Sequence, residues 1–545
     1  MKATISASQF WAERNVARWI ESIRGLAVVG LVAGTLAGCR SAQGSQDLVI
    51  AATGEPSVLI PPLVGETVGR DISDLVYERL AVLRTGGTPV DSSGYEPGLA
   101  ASWTRTNSLT WRFVLRSGAS WHDGQPVTAD DVIFSFGAYT DTILGAPAGQ
   151  ALEGVTVAAE GQNQVVVRFP RPHPEQLLDA TFHVRILPRH VWDSIPRDQW
   201  GADSTLARFV GSGPYRISAW TRGQSLVMDR VSGDGFQRIA WRFAGDQEAA
   251  LNLALSGEAD LIETITSPDA RQRAGGDSAV SLRPYPSAVY GFLGFRLADP
   301  ANVAHPILGD RRVRQALTHA VDRGPLVRTV IGADAVVPPG PMSRALWIWD
   351  DSVTTLGYDT TRADRLLDDA GWRRGPDGAR RRGGRPLAID ILVPATSTAR
   401  RQLAEGIQQL WRNRGVAATI TAVDFPIFQE RLGQGRYDAM IGAWLDEPSP
   451  RALALQWTGQ GIGVLNHGRY RSATFDSLFQ VALDAPTVAA ARPRWRAALD
   501  TLNADAPAIF LYTPTNVAVA SRRLDPITVD PFSWLHEIGR WRKTR

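Results

Sequence analysis

The sequence has almost no lysine and only one cysteine. Among its 545 residues, lysine occurs only at Lys2 and Lys543, so arginine supplies nearly all of the positive charge. A catalytic Ser-x-x-Lys pair is therefore excluded from the body of the chain. Because Cys39 is the single cysteine, no intrachain disulfide can form. The sequence is therefore compatible with an oxidising compartment, but the chain gains no stability there from disulfide bonds.

Several motifs of common enzymes are also missing. There is no GxxxxGK[ST] phosphate loop and no HExxH zinc motif, and Ser212 lacks the GxSxG spacing of a hydrolase nucleophile. His173, His183 and His190 are spaced in a way that fits no standard metal motif. His122 lies in an HDG turn, where we expect it to bond backbone. We predict no catalytic residue, metal or cofactor, although missing motifs alone do not exclude an enzyme.

Long apolar runs and a one-signed charge are absent as well. Beyond the first 38 residues, no segment reaches the roughly 18 apolar residues that a membrane-spanning helix needs. The formal net charge of +3 at pH 7 leaves no broad basic surface for nucleic acid. From Cys39 onward the chain is too long for one hydrophobic core, so we expect two or three domains.

The N-terminus carries the pattern of a secretory signal. An apolar run at 25–37, GLAVVGLVAGTLA, follows a basic segment and ends in Leu-Ala-Gly-Cys, which looks like a bacterial lipobox. We expect a signal peptide at 1–38, a lipid on Cys39 and a tether at 39–46. The alternative is an ordinary signal peptide with a chance cysteine. The expected location is extracytoplasmic and lipid-anchored, in the periplasm or on the outer face of the cytoplasmic membrane. Because Arg40 is not an aspartate, the outer membrane is a further possible destination in an organism that has two membranes.

The stretch from 97 to 135 predicts a strand, a turn and a helix in quick succession. Apolar and more polar residues alternate from 111 to 116, as in a strand with one wetter face. The residues at 121–124, Trp-His-Asp-Gly, predict a tight turn with glycine in the left-handed region. Thr128 and Asp131 then have the spacing of a capping box at the start of a helix.

Elsewhere the periodicity predicts a protein of mixed α and β structure. We expect a helix at 71–80, and two amphipathic helices capped by Asp310 and Thr361. Strands and helices alternate between 386 and 441, which indicates a parallel or mixed sheet with helices on both faces. The Arg- and Gly-rich segment at 373–385 has no apolar periodicity and predicts a solvated hairpin or loop.

The order of short motifs resembles one family of binding proteins. P-x-LA-x-SW, W-x-F-x-LR-x-G and HDG-x-PVTA-x-DV follow one another between Pro97 and Val132, and GSGPY follows at 211–215. This order resembles the solute-binding proteins of peptide-type ABC importers, the oligopeptide, dipeptide and nickel binding family. The resemblance implies an α/β fold with two lobes, of the type II, cluster C periplasmic-binding-protein kind, with an extra subdomain inserted in lobe I.

The resemblance also gives the expected domain boundaries. Lobe I would consist of 47–85, 210–285 and 515–545. The inserted subdomain would take 86–209, and lobe II would take 286–514.

By the same resemblance, the ligand lies between the lobes against aromatic residues. Matching the motifs position by position gives six candidate ligand-binding residues: Glu55, Tyr290, Phe292, Trp444, Asp446 and Asn466. The loop from Trp444 to Pro448 is shorter than in typical oligopeptide binders. Two possibilities stay open, because Asp446 could replace the family's amine-binding aspartate or the protein could bind no free peptide amine.

The resemblance implies a monomer without enzymatic activity that captures a peptide or similar small solute and closes its lobes around it. It would deliver the solute to a transmembrane permease with ATPase subunits, and would bind no nucleic acid. One alternative is the same fold with an oligosaccharide, an opine-like compound or a chelated metal as ligand. The other is a sensory or hydrolytic protein that has no permease.

Overall fold

The computed structural model describes residues 47–202 and 205–544. The predicted signal peptide, Cys39 and the tether lie outside the described residues. Within these two ranges, none of the helices combines the length and the apolar character that crossing a bilayer requires.

A seven-stranded mixed sheet forms the centre of the body that we call lobe I. Its strand Asp47–Ala52 pairs in parallel with a neighbour on each side. The nearly continuous apolar sequence DLVIAA is typical of a parallel strand whose two faces are both covered. Helices Thr67–Val76, Gln247–Leu255 and Pro268–Gly276 accompany the sheet. In spatial order the strands are Val280–Pro286, Thr515–Ser521, Leu261–Ile262, Asp47–Ala52, Arg238–Phe243, Ser225–Arg230 and Tyr215–Thr221.

A five-stranded mixed sheet forms the centre of a second body, lobe II. Its strands in spatial order are Ala417–Val423, Ala388–Pro394, Ala439–Leu445, Val289–Phe295 and Ala508–Tyr512. The first three are parallel, and the last two run antiparallel to their neighbours. The helices of lobe II are Arg311–His319, Arg323–Val330, Thr360–Asp369, Thr398–Arg412, Phe425–Gln434, Leu453–Trp457, Ala473–Leu483 and Val488–Asp505.

A four-stranded antiparallel sheet forms the centre of a third body, which carries the strand–turn–helix stretch and which we call the inserted subdomain. Its strands in spatial order are Ala100–Asn107, Thr110–Leu115, Gln164–Arg168 and Thr156–Ala159. Helix Ala129–Tyr139 starts with the predicted capping box of Thr128 and Asp131, and Gly124 has a φ of +87° in the predicted turn. The subdomain also contains helices Gln176–Thr181 and Arg189–Trp192.

The remaining elements are short. The 3-10 helices are Pro61–Leu63, Ser92–Gly94, Pro147–Leu152, Arg197–Ala202, Leu206–Arg208, Pro450–Ala452, Gly459–Gly461 and Ile538–Arg540. Short strands form three small antiparallel groups: Ala81–Leu83 with Tyr95–Pro97, Leu524–Asp525 with Arg542–Lys543, and Arg373–Arg374 with Arg380–Arg382 and Arg385–Pro386.

The chain crosses between the two large sheets twice, at 287–288 and at 513–514. The two crossings lie side by side, because Pro286 pairs with Thr515 in the lobe I sheet and Gly291 pairs with Tyr512 in the lobe II sheet. Two adjacent extended segments are a natural hinge, since few dihedral angles need to change for the lobes to rotate.

The HDG turn is tied to the glycine-rich turn that leads back to lobe I. His122 Nδ1 accepts a hydrogen bond from the Gly211 backbone N–H at 3.2 Å, and Nε2 lies 2.9 Å from the Gly213 carbonyl oxygen. This confirms that His122 bonds backbone. Gly211 is required here, because a Cβ atom would lie 1.8 Å from the Val76 carbonyl oxygen.

Three local predictions were wrong in detail. The helix expected at 71–80 runs from Thr67 to Val76. The predicted end was too late because buried apolar residues continue to Leu80 after the helix has ended. The helix expected to start after Thr361 is capped by Asp359, whose side chain accepts from the Arg362 N–H. The segment 373–385 contains the hairpin that was one of the two predicted forms, extended by a third short strand, but Arg380 in it is buried rather than solvated.

Candidate functional site

A cavity of about 250 Å³ lies between the two lobes and the inserted subdomain. Lobe I contributes residues between 61 and 74, Glu263 and the segment 531–534. The inserted subdomain contributes side chains between 139 and 185, and lobe II contributes the loop 445–448. A cavity between lobes joined by a hinge is a usual place for a ligand.

On the lobe I wall, two carboxylates lie close to an indole group. Asp71 is 7% exposed and accepts a hydrogen bond from Trp534 Nε1. Burial, followed by the charge of Glu263, raises the pKa of Asp71 well above its ordinary value. Burial also raises the pKa of Glu263. The two carboxyl groups therefore share a poorly hydrated environment, in which carrying two negative charges is unfavourable.

Next to this pair, one carboxylate is neutralised by two arginines. Asp74 lies 2.8 Å from Arg79 Nη2 and 2.6 Å from Arg185 Nε. Arg185 belongs to the inserted subdomain, so that the ion pairs join it to lobe I. Although burial opposes the charged form, the two arginines lower the pKa of Asp74. This trio supplies a fixed polar wall with one net positive charge.

The lobe II wall is acidic. Asp446 is 6% exposed, its Oδ2 accepts a 2.7 Å hydrogen bond from the Ser343 N–H, and its own N–H donates to Ala288 O at the first crossing. Burial raises the pKa of Asp446 to about 7. Glu447 is exposed beside it and also lines the cavity.

A buried polar network joins the inserted subdomain to lobe II next to the cavity. Asp179 accepts two hydrogen bonds from Arg451, both at 2.9 Å. Glu175 accepts from Trp347 Nε1 at 2.7 Å and from Ser449 Oγ at 2.5 Å. All four carboxylate oxygens are thereby paired with donors from lobe II, which is the condition under which a buried charge is tolerated.

Two of the three clustered histidines flank this network. Nε2 of His173 lies 3.6 Å from Asp179, and Nε2 of His183 lies 3.9 Å from the same carboxylate. Burial, together with the positive charge of Arg451, lowers the pKa of His173 to about 3. Both imidazoles are therefore packed as neutral groups at pH 7, because burial also lowers the pKa of His183.

Three of the predicted ligand residues lie in the interior of lobe II. Tyr290 is 0% exposed, and its hydroxyl group donates to Gln456 and accepts from Trp457 Nε1. Phe292 packs edge-on against Trp457, with ring centroids 5.2 Å apart. Trp444 is half-buried and, with Phe292, lines a cavity of only about 20 Å³. Binding roles for these three stay predictions.

Two further predicted residues hold turns in place. Glu55 accepts from Trp220 Nε1 at 2.8 Å and from the Gly223 N–H at 2.7 Å, so it fixes the hairpin that follows strand Tyr215–Thr221. Asn466 donates to the carbonyls of Thr458 and Tyr470 and accepts from the Tyr470 N–H. Their ligand-binding roles also stay predictions. Among the six candidates and within the described residues, Asp446 alone lines the 250 Å³ cavity.

The motif-based reasoning missed the lobe I wall. Asp71, Glu263 and Trp534 come from three distant segments, and none lies in a matched motif. Their only signal in the sequence is an acidic residue beside a buried apolar run, in Arg-Asp-Ile-Ser and in Leu-Ile-Glu-Thr. An acidic residue in such a position is ordinarily solvated, so nothing in the sequence distinguishes Asp71 and Glu263 from other acidic residues.

Two α/β lobes, a double crossing and a cavity between the lobes define a two-lobed solute-binding protein. The family model of bacterial extracellular solute-binding proteins, family 5, matches residues 94–463. The chain belongs to this family, whose members bind solutes outside the cytoplasm. This confirms the predicted family and its two-lobed α/β fold.

Similar proteins cover nearly the whole chain. The oligopeptide-binding protein AppA of Bacillus subtilis is 22% identical over 92% of this chain and 92% of its own length. The structure of the ABC transporter substrate-binding protein CtaP of Listeria monocytogenes matches with a TM-score of 0.80 and 22% identity, over 92% of this chain and 100% of that one. NikZ of Campylobacter jejuni, solved with Ni(L-His), matches with a TM-score of 0.75 and 22% identity, again over 92% and 100%.

Proposed function

We propose that this chain is the substrate-binding component of an ABC importer and captures short peptides in the cavity between its lobes. The observation that carries the proposal is the cavity of about 250 Å³ whose walls come from both lobes and the inserted subdomain. Relatives of the chain are named for oligopeptide binding and for ABC transport, which supports both parts of the proposal.

The chemistry of the cavity suits a peptide. Asp446 and Glu447 offer carboxylates to a terminal ammonium group, and Arg70 and Arg185 offer donors to carbonyl or carboxylate oxygens. Water can fill the part of the cavity that a small peptide side chain leaves empty, so the cavity can accommodate peptide side chains of different size. Asp446 is the residue that we propose for the peptide amine. No covalent step is required of any residue.

We further propose that the ligand shifts the lobes from an open to a closed arrangement about the crossings at 287–288 and 513–514. In the closed arrangement Arg451 and Asp179 meet across the boundary between lobe II and the inserted subdomain. A permease would recognise the closed lobes. A lipid on Cys39 would hold the protein at the membrane, since Leu-Ala-Gly-Cys resembles a lipobox and predicts cleavage before this cysteine.

Native mass spectrometry of the full chain, purified without added ligand, tests the peptide assignment. We expect bound masses that fragment into peptides, together with a smaller radius of gyration by X-ray scattering when peptide is present. A retained sugar or nickel–histidine complex would keep the fold and overturn the substrate. No compaction with a peptide that binds would overturn the closure mechanism.

A further inference from the structure

We propose that Asp71 and Glu263 form a cation subsite on the lobe I wall, so that the ligand is a basic peptide carrying a lysine or arginine side chain. The proposal rests on the peptide-binding function proposed above and names its substrate class. It does not concern the peptide amine, for which Asp446 lies on the opposite wall.

The first observation is the charge balance of the cavity. Five carboxylates and three guanidinium groups line it: Asp71, Asp74, Glu263, Asp446 and Glu447 against Arg70, Arg79 and Arg185. Lysine is absent from the lining and His183 is neutral. The lining therefore has two more acidic groups than basic ones. Burial raises the pKa of three of these acids, Asp71, Glu263 and Asp446, and a cationic group of a ligand beside them favours their charged forms.

The second observation is which acids lack a partner. Asp74 is paired with Arg79 and Arg185 at 2.8 and 2.6 Å. By contrast, within ranges 47–202 and 205–544 the Glu263 carboxylate has neither a hydrogen-bond donor nor an ion-pair partner. Asp71 has a donor on Oδ2 alone, from Trp534, although the residue is more than nine-tenths buried. Its second oxygen is left without a donor from the part of the chain that the structure describes.

The third observation is that the neighbouring arginine does not pair with either carboxylate. The charge of Arg70, on the same wall, opposes the rise in the pKa of Asp71 and of Glu263. Among the described residues, however, its guanidinium group forms no ion pair and donates only a long 3.5 Å hydrogen bond to Thr67 Oγ1. Trp534, which also lines the cavity, donates its indole N–H to Asp71, so the carboxylate cannot rotate away without losing that bond. An ammonium or guanidinium group entering the cavity supplies two to three donors to carboxylates that are already in position.

Matched tripeptides test the proposal by isothermal titration calorimetry on the purified full chain. Ala-Lys-Ala and Ala-norleucine-Ala have nearly the same shape and differ by one charge. We expect Ala-Lys-Ala to bind at least about tenfold more tightly, which is the range of one charge-assisted hydrogen bond. In Glu263→Gln and in Asp71→Asn this preference for Ala-Lys-Ala over Ala-norleucine-Ala should fall to less than about threefold.

Glu258→Gln is the control, because Glu258 is an exposed lobe I acid five residues before Glu263 and outside the cavity. It should keep the full preference for lysine. Equal binding of both tripeptides to the unaltered protein would overturn the cation subsite and leave peptide binding intact. A lysine preference that persists in both variants would also overturn it. If no tripeptide binds, the proposed peptide function fails as well.

Discussion

Arg451 and Asp179 are 272 residues apart in the sequence and form a bidentate ion pair, with both N–O distances at 2.9 Å. Asp179 is 0% exposed and belongs to the inserted subdomain, whereas Arg451 belongs to lobe II. The pair therefore joins two bodies that the hinge would otherwise leave free to separate. Its strength should be measurable both as stability and as the balance between open and closed forms.

Arg451→Met should lower the free energy of unfolding by about 3–5 kcal/mol, because it leaves the buried Asp179 carboxylate without its counter-ion. Denaturant unfolding at pH 7 measures the loss. The control is Arg171→Met, since Arg171 also joins the inserted subdomain to lobe II but through an exposed pair with Asp484. That variant should lose less than about 1 kcal/mol. Similar losses of unfolding free energy in Arg451→Met and Arg171→Met would contradict the expectation that the buried ion pair contributes more to stability than the exposed one.

Asp446→Asn should change how stability depends on pH. The pKa of Asp446 is about 7 in the folded chain against an ordinary value of 3.8, so the folded state holds the proton more tightly than the unfolded state. The contribution of Asp446 to the free energy of unfolding is therefore present in full below about pH 4 and is lost as the pH rises from about 4 to about 7. The variant should gain up to about 4 kcal/mol at pH 8 and nothing at pH 4.

Thermal and denaturant unfolding between pH 4 and 8.5 measure this difference. Glu447→Gln is the matched control, because Glu447 is the next residue and is exposed. Its pH profile should follow that of the unaltered chain. A constant offset between Asp446→Asn and the unaltered chain at every pH would contradict the prediction.

Gly291→Ala should destabilise lobe II next to the hinge. A Cβ atom at Gly291 would lie 2.1 Å from the Tyr512 ring, on the neighbouring strand. Relieving this overlap requires the ring or the strand to move, with a cost of about 1–3 kcal/mol. Gly245→Ala is the control, because nothing lies within 4 Å of its Cβ position. A midpoint of thermal unfolding equal in both variants would contradict this account of Gly291.

Cys39→Ser should release the protein from membranes. If Cys39 carries the lipid, the unaltered chain should fractionate with membranes and its intact mass should include cleavage after residue 38 and an acyl-modified cysteine. The variant should lose both the modification and the membrane association. An unmodified Cys39 in the unaltered chain would remove the anchor from the proposal while leaving the ligand cavity untouched.

Local features of the fold could be predicted because they depend on residues that are near in sequence. Thr128 and Asp131 form a capping box within one helical turn, and Gly124 adopts the left-handed conformation that its turn requires. The boundaries of the helix at 67–76 could not be predicted as well. Leu80 continues the apolar period but packs as a loop residue after the helix, so that tertiary packing and not periodicity sets the end.

The cavity walls were harder to predict than the fold for a physical reason. Tyr290 and Phe292, which were chosen from a motif, are buried in lobe II. A ligand contact instead depends on which side chains from distant segments meet across a gap. Asp71 and Trp534 are joined by a hydrogen bond over 463 positions, and no local pattern contains that information.

The two crossings also impose an order on how the protein can be assembled. Strand Thr515–Ser521 is made after all of lobe II, yet it lies inside the lobe I sheet between Leu261–Ile262 and Val280–Pro286. A nascent chain that has emerged only as far as lobe II therefore has lobe I with an open seam, whose unpaired edges can recruit other strands. Lobe II, contiguous from one crossing to the other, can fold first although it is made later. The seam in lobe I therefore stays open until strand Thr515–Ser521 has been made.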